Sequence, residues 1–329
     1  MTTFLATLTP MLTLFFCIAV GFLAAKTKVL PSAASTTMAK METWIFFPAL
    51  SFTTMLRFCT IDSISTHATN VVMGCICVSI ALAIGIPLAK LFVKEKGVER
   101  GVYSYALVFA NSGYIGDPVV LALFGEEGLA YYKLFCLPIT IVIYTWGINV
   151  LTPKGNQKGA IVKRLLNAPT VALLIGVVMG LSGLGNYLPK VLLSALDSLK
   201  ACMGPVAMLL AGVTIARFDF MEMLRNKKVY IATALRLIFI PAVLIAVLFA
   251  VKTLANSLLN LSIGNDALYL CFFATAAPLG LNTIVFPEAY GGNPKTGASM
   301  ALISHTLCVI SIPIMYAIMV SIFGAPFSA

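Results

Sequence analysis

Apolar residues run through this chain in blocks of about 20, the length an α-helix needs to cross the hydrocarbon of a bilayer. Short clusters of polar residues, Gly and Pro separate the blocks. The pattern predicts ten spans, near 8–25, 36–57, 68–92, 101–123, 129–151, 168–188, 195–216, 229–251, 266–290 and 297–323. The longest polar stretch, Pro153 to Asn167, falls midway. It divides the chain into a first five-span half (1–152), a linker loop (153–167) and a second five-span half (168–329). The halves echo each other: Pro48 answers Pro205, Pro87 answers Pro241, and the fourth and ninth spans are each interrupted and end at glycine. Because five is odd, the second half must enter the membrane in the opposite sense, so the fold class expected is an all-α polytopic membrane protein built as two inverted five-helix repeats.

The interruptions are the most informative positions. Asn111-Ser-Gly-Tyr-Ile-Gly116-Asp117-Pro118 lies in the fourth span, and Ala277-Pro278-Leu-Gly280-Leu-Asn282-Thr283 in the ninth. Proline lacks a backbone donor and clashes with the preceding turn, while glycine lowers the cost of leaving helical geometry. In hydrocarbon a broken helix persists only where protein or a polar cavity satisfies its freed backbone groups. Paired breaks, one per half, therefore point to a binding site at the midplane. Half-helix N-termini and asparagine amides would suit a carboxylate there. The substrate-binding candidates are Asn111, Gly116, Pro118, Pro278, Gly280 and Asn282.

Composition narrows the class. Of 329 residues, 60% are hydrophobic and only 10% charged, against about 25% charged in an ordinary soluble domain. The net charge of +10 does not indicate nucleic acid, because the basic residues lie between spans rather than in one patch. Most fall in the connections after spans 1, 3, 5, 7 and 9; the exceptions are Arg57, Lys133, Lys190, Lys200, Arg236 and Lys252. That bias predicts a plasma (inner) membrane protein with cytoplasmic odd-numbered loops and both termini outside. Met1 to Pro10 lacks the basic region of a cleavable signal, so this end is expected to be retained. The eight cysteines have no ligand-like spacing with His or Asp, and neither a metal site nor a cofactor is expected.

Three ionisable residues inside spans are candidates for coupling or ion binding. Asp117 could carry a proton, coordinate sodium or cap the half-helix that starts at Pro118. His305, between Ser304 and Thr306, reads as a proton relay or as a neutral histidine bonded to a neighbouring helix. Arg236 could snorkel to the membrane surface or turn its guanidinium inward to a carboxylate. Glu42 and Lys133 read as interfacial residues or as transport residues.

The order of these motifs, with Asn-x4-Gly-x-Pro in span four answered by Pro-x-Gly in span nine and Ile312-Pro313 in span ten, resembles the auxin efflux carrier family over essentially the whole chain. The resemblance implies a scaffold domain of spans 1, 2, 6 and 7 and a transport domain of spans 3–5 and 8–10. Spans four and nine would cross beside the substrate, at Asn111, Pro118, Pro278 and Asn282. It also implies transport of small organic acids, since plant members export an indole carboxylate and bacterial members are linked to malate or malonate. The short central loop resembles that of bacterial members. Asp117 departs from the family, where a small apolar residue is usual.

Together these features predict a secondary, elevator-type carrier of small organic anions with the bilayer as its setting, H+ or Na+ as the coupling ion and a homodimer as an open expectation. The alternative is a sodium-coupled importer of a bulkier amphipathic acid, resembling the bile acid:sodium symporters, with Asp117, Asn111 and Asn282 as oxygen donors. No Gly-x4-Gly-Lys-Ser/Thr loop is present, so direct ATP drive is not expected. A receptor would be expected to bring a soluble output domain, and none is expected to fit within 329 residues. An enzyme would need more than His305 and its neighbouring hydroxyls.

Overall fold

The computed structural model describes residues 2–31, 33–61, 64–152, 168–261, 263–290 and 292–326. The linker expected over 153–167 lies outside them. Among the described residues the chain is helical, and its only β feature is one isolated antiparallel bridge, Ala110 with Leu279.

The elements follow the apolar blocks. The first half comprises α1 (Thr2–Lys26), α2 (Ala34–Met41), α3 (Phe47–Phe58), α4 (Ile64–Ala89), α5 (Val98–Val108), α6 (Asp117–Phe135), α7 (Leu137–Val142) and α8 (Ile148–Leu151). The second comprises α9 (Ala168–Leu181), α10 (Lys190–Ile215), α11 (Phe220–Arg225), α12 (Lys227–Ala234), α13 (Ile240–Leu259), α14 (Asp266–Thr275), α15 (Asn282–Tyr290) and α16 (Lys295–Phe323). A recurring local device is a wide π turn followed by proline. Glu42–Phe46 precedes Pro48, Ser112–Gly116 precedes Pro118, and Leu235–Phe239 precedes Pro241. Proline supplies no N–H to the carbonyl one turn back, and the widened turn absorbs that mismatch.

By length and apolarity alone, Ala68–Ala89, Lys190–Ile215, Lys227–Leu259 and Lys295–Phe323 could each cross a membrane. The bent pair Ser112–Phe135 and Leu137–Leu151 would make a fifth span. The expected span 101–123 is divided between α5 and the start of α6, and 266–290 between α14 and α15. Helix α6 continues past residue 123, but Gly125 sits inside it at φ 70°, ψ −168°, so the helical register is lost there. Exposed apolar side chains mark the lipid-facing surface: Ile310, Ile314, Ile318 and Ile322 form a stripe along α16.

Two sets of helices can be distinguished by their packing, with α1 bridging to α16. Helices α1, α3, α9 and α10 form one, and α4 with α5, α6 and α7 and α13 with α14 belong to the other. Contacts of α1 with α16 and α6, of α3 with α6 and of α2 with α15 join them. Within the first set the backbones approach at small residues, as is usual where lipid offers no hydrophobic drive for helix association. A Cβ on Gly212 would lie 2.0 Å from the Ile18 carbonyl oxygen, and one on Gly21 would lie 2.2 Å from that of Leu209.

Gly212→Val should therefore force α1 and α10 apart and destabilise the protein by about 1–3 kcal/mol, read as a lower unfolding temperature in detergent. Gly97→Ala, at a site with nothing within 4 Å, should leave that temperature unchanged. Equal behaviour of the two variants would refute this packing.

Candidate functional site

The first break begins where α5 ends. Its last carbonyls have no partners within the helix, and Arg236, in the π turn between α12 and α13, meets them. Its Nη1 donates to the carbonyls of Leu107 (3.0 Å) and Val108 (3.3 Å). Arg236 is fully buried, so it does not snorkel. It lays positive charge against the negative end of α5. Among the described residues its Nε and Nη2 have no hydrogen-bond partner.

Beyond α5 the chain is extended at Phe109 and meets the second break. The Asn111 N–H donates to the Pro278 carbonyl at 2.8 Å, beside the Ala110–Leu279 bridge. Ile115 and Gly116 donate back to the Asn111 carbonyl. The Asn111 side chain is equally committed: Oδ1 accepts from the Tyr114 N–H at 3.2 Å, and Nδ2 lies 3.0 Å from His305 Nε2. His305 Nδ1 lies 2.8 Å from the Ala301 carbonyl, which can only accept, so Nδ1 carries the hydrogen and Nε2 accepts from Asn111. A doubly protonated ring would set two donors face to face at Asn111. His305 is thus a lock on the first break, supplied by α16.

Other polar groups complete the junction. The Leu279 N–H donates to Ser304 Oγ at 3.2 Å, and Asn282 Nδ2 donates to the Tyr105 hydroxyl at 2.7 Å. The Tyr132 hydroxyl lies within donating distance of the Ser112 carbonyl (3.1 Å) and the Phe273 carbonyl (3.2 Å), one on each broken segment. This closeness requires glycine. A Cβ on Gly116 would lie 2.2 Å from the Tyr132 hydroxyl, and one on Gly280 would lie 2.9 Å from the Tyr105 ring.

Next to the junction lies a narrow cleft, partly open to its surroundings, with a cavity volume of about 40 Å3. Phe47, Ser51, Pro169 and Leu173 line it from α3 and α9. Asn111, Ser112, Gly113, Asp117, Lys133, Thr140 and Asn282 line it from the opposite side. The Ser112 and Gly113 amides open the helical run that continues into α6, so they have no intrahelical acceptors. Asp117 does not cap that helix with its side chain. Its carboxylate pairs with Lys133 Nζ, both groups being nearly inaccessible, and the Lys133 ammonium sits 4.7 Å from the Phe47 ring centroid.

Of the residues singled out from sequence, Asn111, Asp117 and Asn282 line this cleft, while Pro278, Gly280, Gly116 and His305 support it from behind. Pro118 packs toward Gly204 of α10 in an adjoining groove. Lys133 and Glu42 are buried rather than interfacial, and among the described residues neither Glu42 oxygen has a hydrogen-bond partner. Tyr105, Tyr132, Ser304 and Phe47 were not legible as site residues, since a hydroxyl or ring within an apolar span carries no signal of its own. Among the described residues no group of three or more His, Cys, Asp or Glu side chains could hold a metal ion. Of the oxygens a sodium site would use, Asp117 Oδ2 is paired with Lys133 and Asn111 Oδ1 accepts from the Tyr114 N–H.

Residues 6–316 match the sequence pattern of a family described as membrane transport protein. This chain belongs to that membrane transport protein family, the auxin efflux carrier family of the sequence resemblance. An uncharacterised transporter of Methanothermobacter thermautotrophicus is 24% identical over 223 residues, 67% of this chain and 71% of its own length. An uncharacterised transporter of Methanocaldococcus jannaschii is 27% identical over 134 residues, 39% of this chain and 43% of its own. This family member is accordingly a multi-pass membrane protein of a transporter family.

Gly116→Ala should disrupt the junction in this transporter, lowering its unfolding temperature in detergent. Because the clashing atom is a hydroxyl oxygen, Gly116→Ala/Tyr132→Phe should recover part of the loss. A double variant no better than the single one would show that the clash lies elsewhere.

Proposed function

We propose that this chain is a secondary transporter of small organic anions, mono- or dicarboxylates of the size of malonate or malate. The observation that carries the reading is the cleft that Ser112 and Gly113, at the start of a helical run, and the buried Lys133 line opposite α3 and α9. Free helix-start amides and a buried cation are a suitable environment for a carboxylate. On this reading Asn111, His305, Tyr132 and Pro278 hold the amides in place rather than contact the substrate.

The same proposal takes the chain to have ten spans in two inverted repeats. The α1, α3, α9 and α10 set is the scaffold, and the broken helices belong to a transport domain that moves against it as an elevator. The packing that distinguishes the two sets supports this, as does the position of the cleft between them. The excess of Lys and Arg in the odd-numbered loops supports a plasma-membrane protein with outward termini. The sodium-coupled alternative is disfavoured because Lys133 stands beside Asp117 where a cation would have to sit.

Purified protein in proteoliposomes should accumulate labelled malonate or malate saturably above protein-free vesicles. Asp117→Asn/Lys133→Met, which removes the pair without stranding a charge, should transport at less than about a tenth of the wild-type rate, as loss of roughly 1.4 kcal/mol or more of anion binding implies. No flux for any small carboxylate would sink the proposal.

A further inference from the structure

Asp117 stands at a boundary. It lines the central cleft together with Lys133, and it also lines a second, larger groove that runs between α1, α3 and α10 on one side and α6 on the other. Lys133 lines only the central cleft. The groove carries two ion pairs, Arg57 with Asp197 at 2.5 Å and Lys200 with Glu126 at 2.7 Å. A buried carboxylate thus has a charged groove on one face and, on the other, the lysine that the substrate reading requires.

That lysine is already neutralised. A substrate carboxylate entering the cleft would share one ammonium with Asp117, and two carboxylates on one buried cation leave a net negative charge out of water. Removing the charge of Asp117 relieves the conflict. The groups acting on Asp117 are Lys133, Tyr132 and Cys136 from α6 and its C-terminal end, and Lys200 from α10. Asp197 of α10 and Arg57 of α3 face the same groove, as does Glu126 of α6, but they are held in their own pairs. Lys133 is the partner in contact.

We propose that Asp117 and the substrate carboxylate are alternative partners of Lys133. A proton taken up on Asp117 through the adjoining groove releases Lys133 to the anion, so that one proton accompanies each carboxylate bound. The inference deepens the transport reading and rests on it. The sign follows directly: protonation removes the competitor, so anion binding tightens as pH falls. On the release side, loss of the proton from Asp117 restores the pair with Lys133 and displaces the bound anion, which couples the two fluxes in the same direction.

The test uses purified wild-type protein titrated calorimetrically with pyruvate and with malonate, in buffers of different ionisation enthalpy. Pyruvate keeps its carboxylate ionised from mildly acidic to neutral pH. Wild type should take up about one proton per pyruvate bound, with affinity rising by up to about tenfold for each pH unit lowered. Asp117→Asn, which frees Lys133 permanently, should bind with wild-type low-pH affinity at every pH and without proton uptake. Binding by wild type with no proton uptake overturns this inference and leaves the transport proposal standing. Unchanged pH dependence in Asp117→Asn does the same. If neither anion binds at any pH and no flux is seen in proteoliposomes, the transport reading falls and this inference falls with it. The wild-type calorimetry decides the matter even if the variant does not fold.

Discussion

Everything at the centre of this protein depends on one constraint: a backbone group stranded in an apolar interior must find a partner. Two helices break at neighbouring places, and each break supplies what the other lacks. The Asn111 N–H takes the carbonyl of Pro278, a carbonyl freed because its own helix has ended. Leaving one such group unpaired costs about 1–3 kcal/mol, so the mutual pairing makes two broken helices tolerable together where either alone would be costly. The remaining groups are met by side chains from other helices: Arg236 for the end of α5, Ser304 for Leu279, and Tyr132 for Ser112 and Phe273.

The side chains that hold the junction are committed to one another. Asn111 has its oxygen on Tyr114 and its amide nitrogen on His305, and His305 is in turn fixed by Ala301. The chain of contacts from α16 through His305 to Asn111 keeps the first turn of the broken helix aimed into the cleft. Preorganisation of this kind lets amide donors meet an anion without reordering on arrival. Lys133, eight residues beyond the Gly125 kink, folds back against Asp117 and the Phe47 ring.

Charged contacts join the two helix sets away from the cleft. Glu288 of α15 pairs with Arg217 and accepts from Ser35 and Thr36 beside α10 and α2, while Lys200 of α10 pairs with Glu126 of α6. These contacts are polar and partly exposed, whereas α1 and α10 meet through glycine-to-carbonyl packing. Exposed ion pairs contribute little, about 0–1 kcal/mol each. These polar contacts join the two sets alongside the packing of α1 on α16.

The sequence by itself determined the class of protein, the helical blocks and the location of both breaks. Each of these follows from local physics: apolar length, missing proline donors, and polar residues that an apolar span would otherwise exclude. It did not determine the partners. The pairing of Asp117 with Lys133 crosses a glycine at positive φ that erases helical periodicity, so no face-counting from Asp117 reaches it. Arg236 binds backbone carbonyls, which have no signature in sequence, and its buried cap on α5 replaced the snorkelling that its position alone allowed. Whether a polar residue binds a substrate or is used up holding a helix end depends on which groups from distant segments come within about 3 Å of it. Only the tertiary structure brings those segments together, and it spends the Asn111 side chain on His305 and Tyr114 while placing Ser112 and Gly113 in the lining of the cleft.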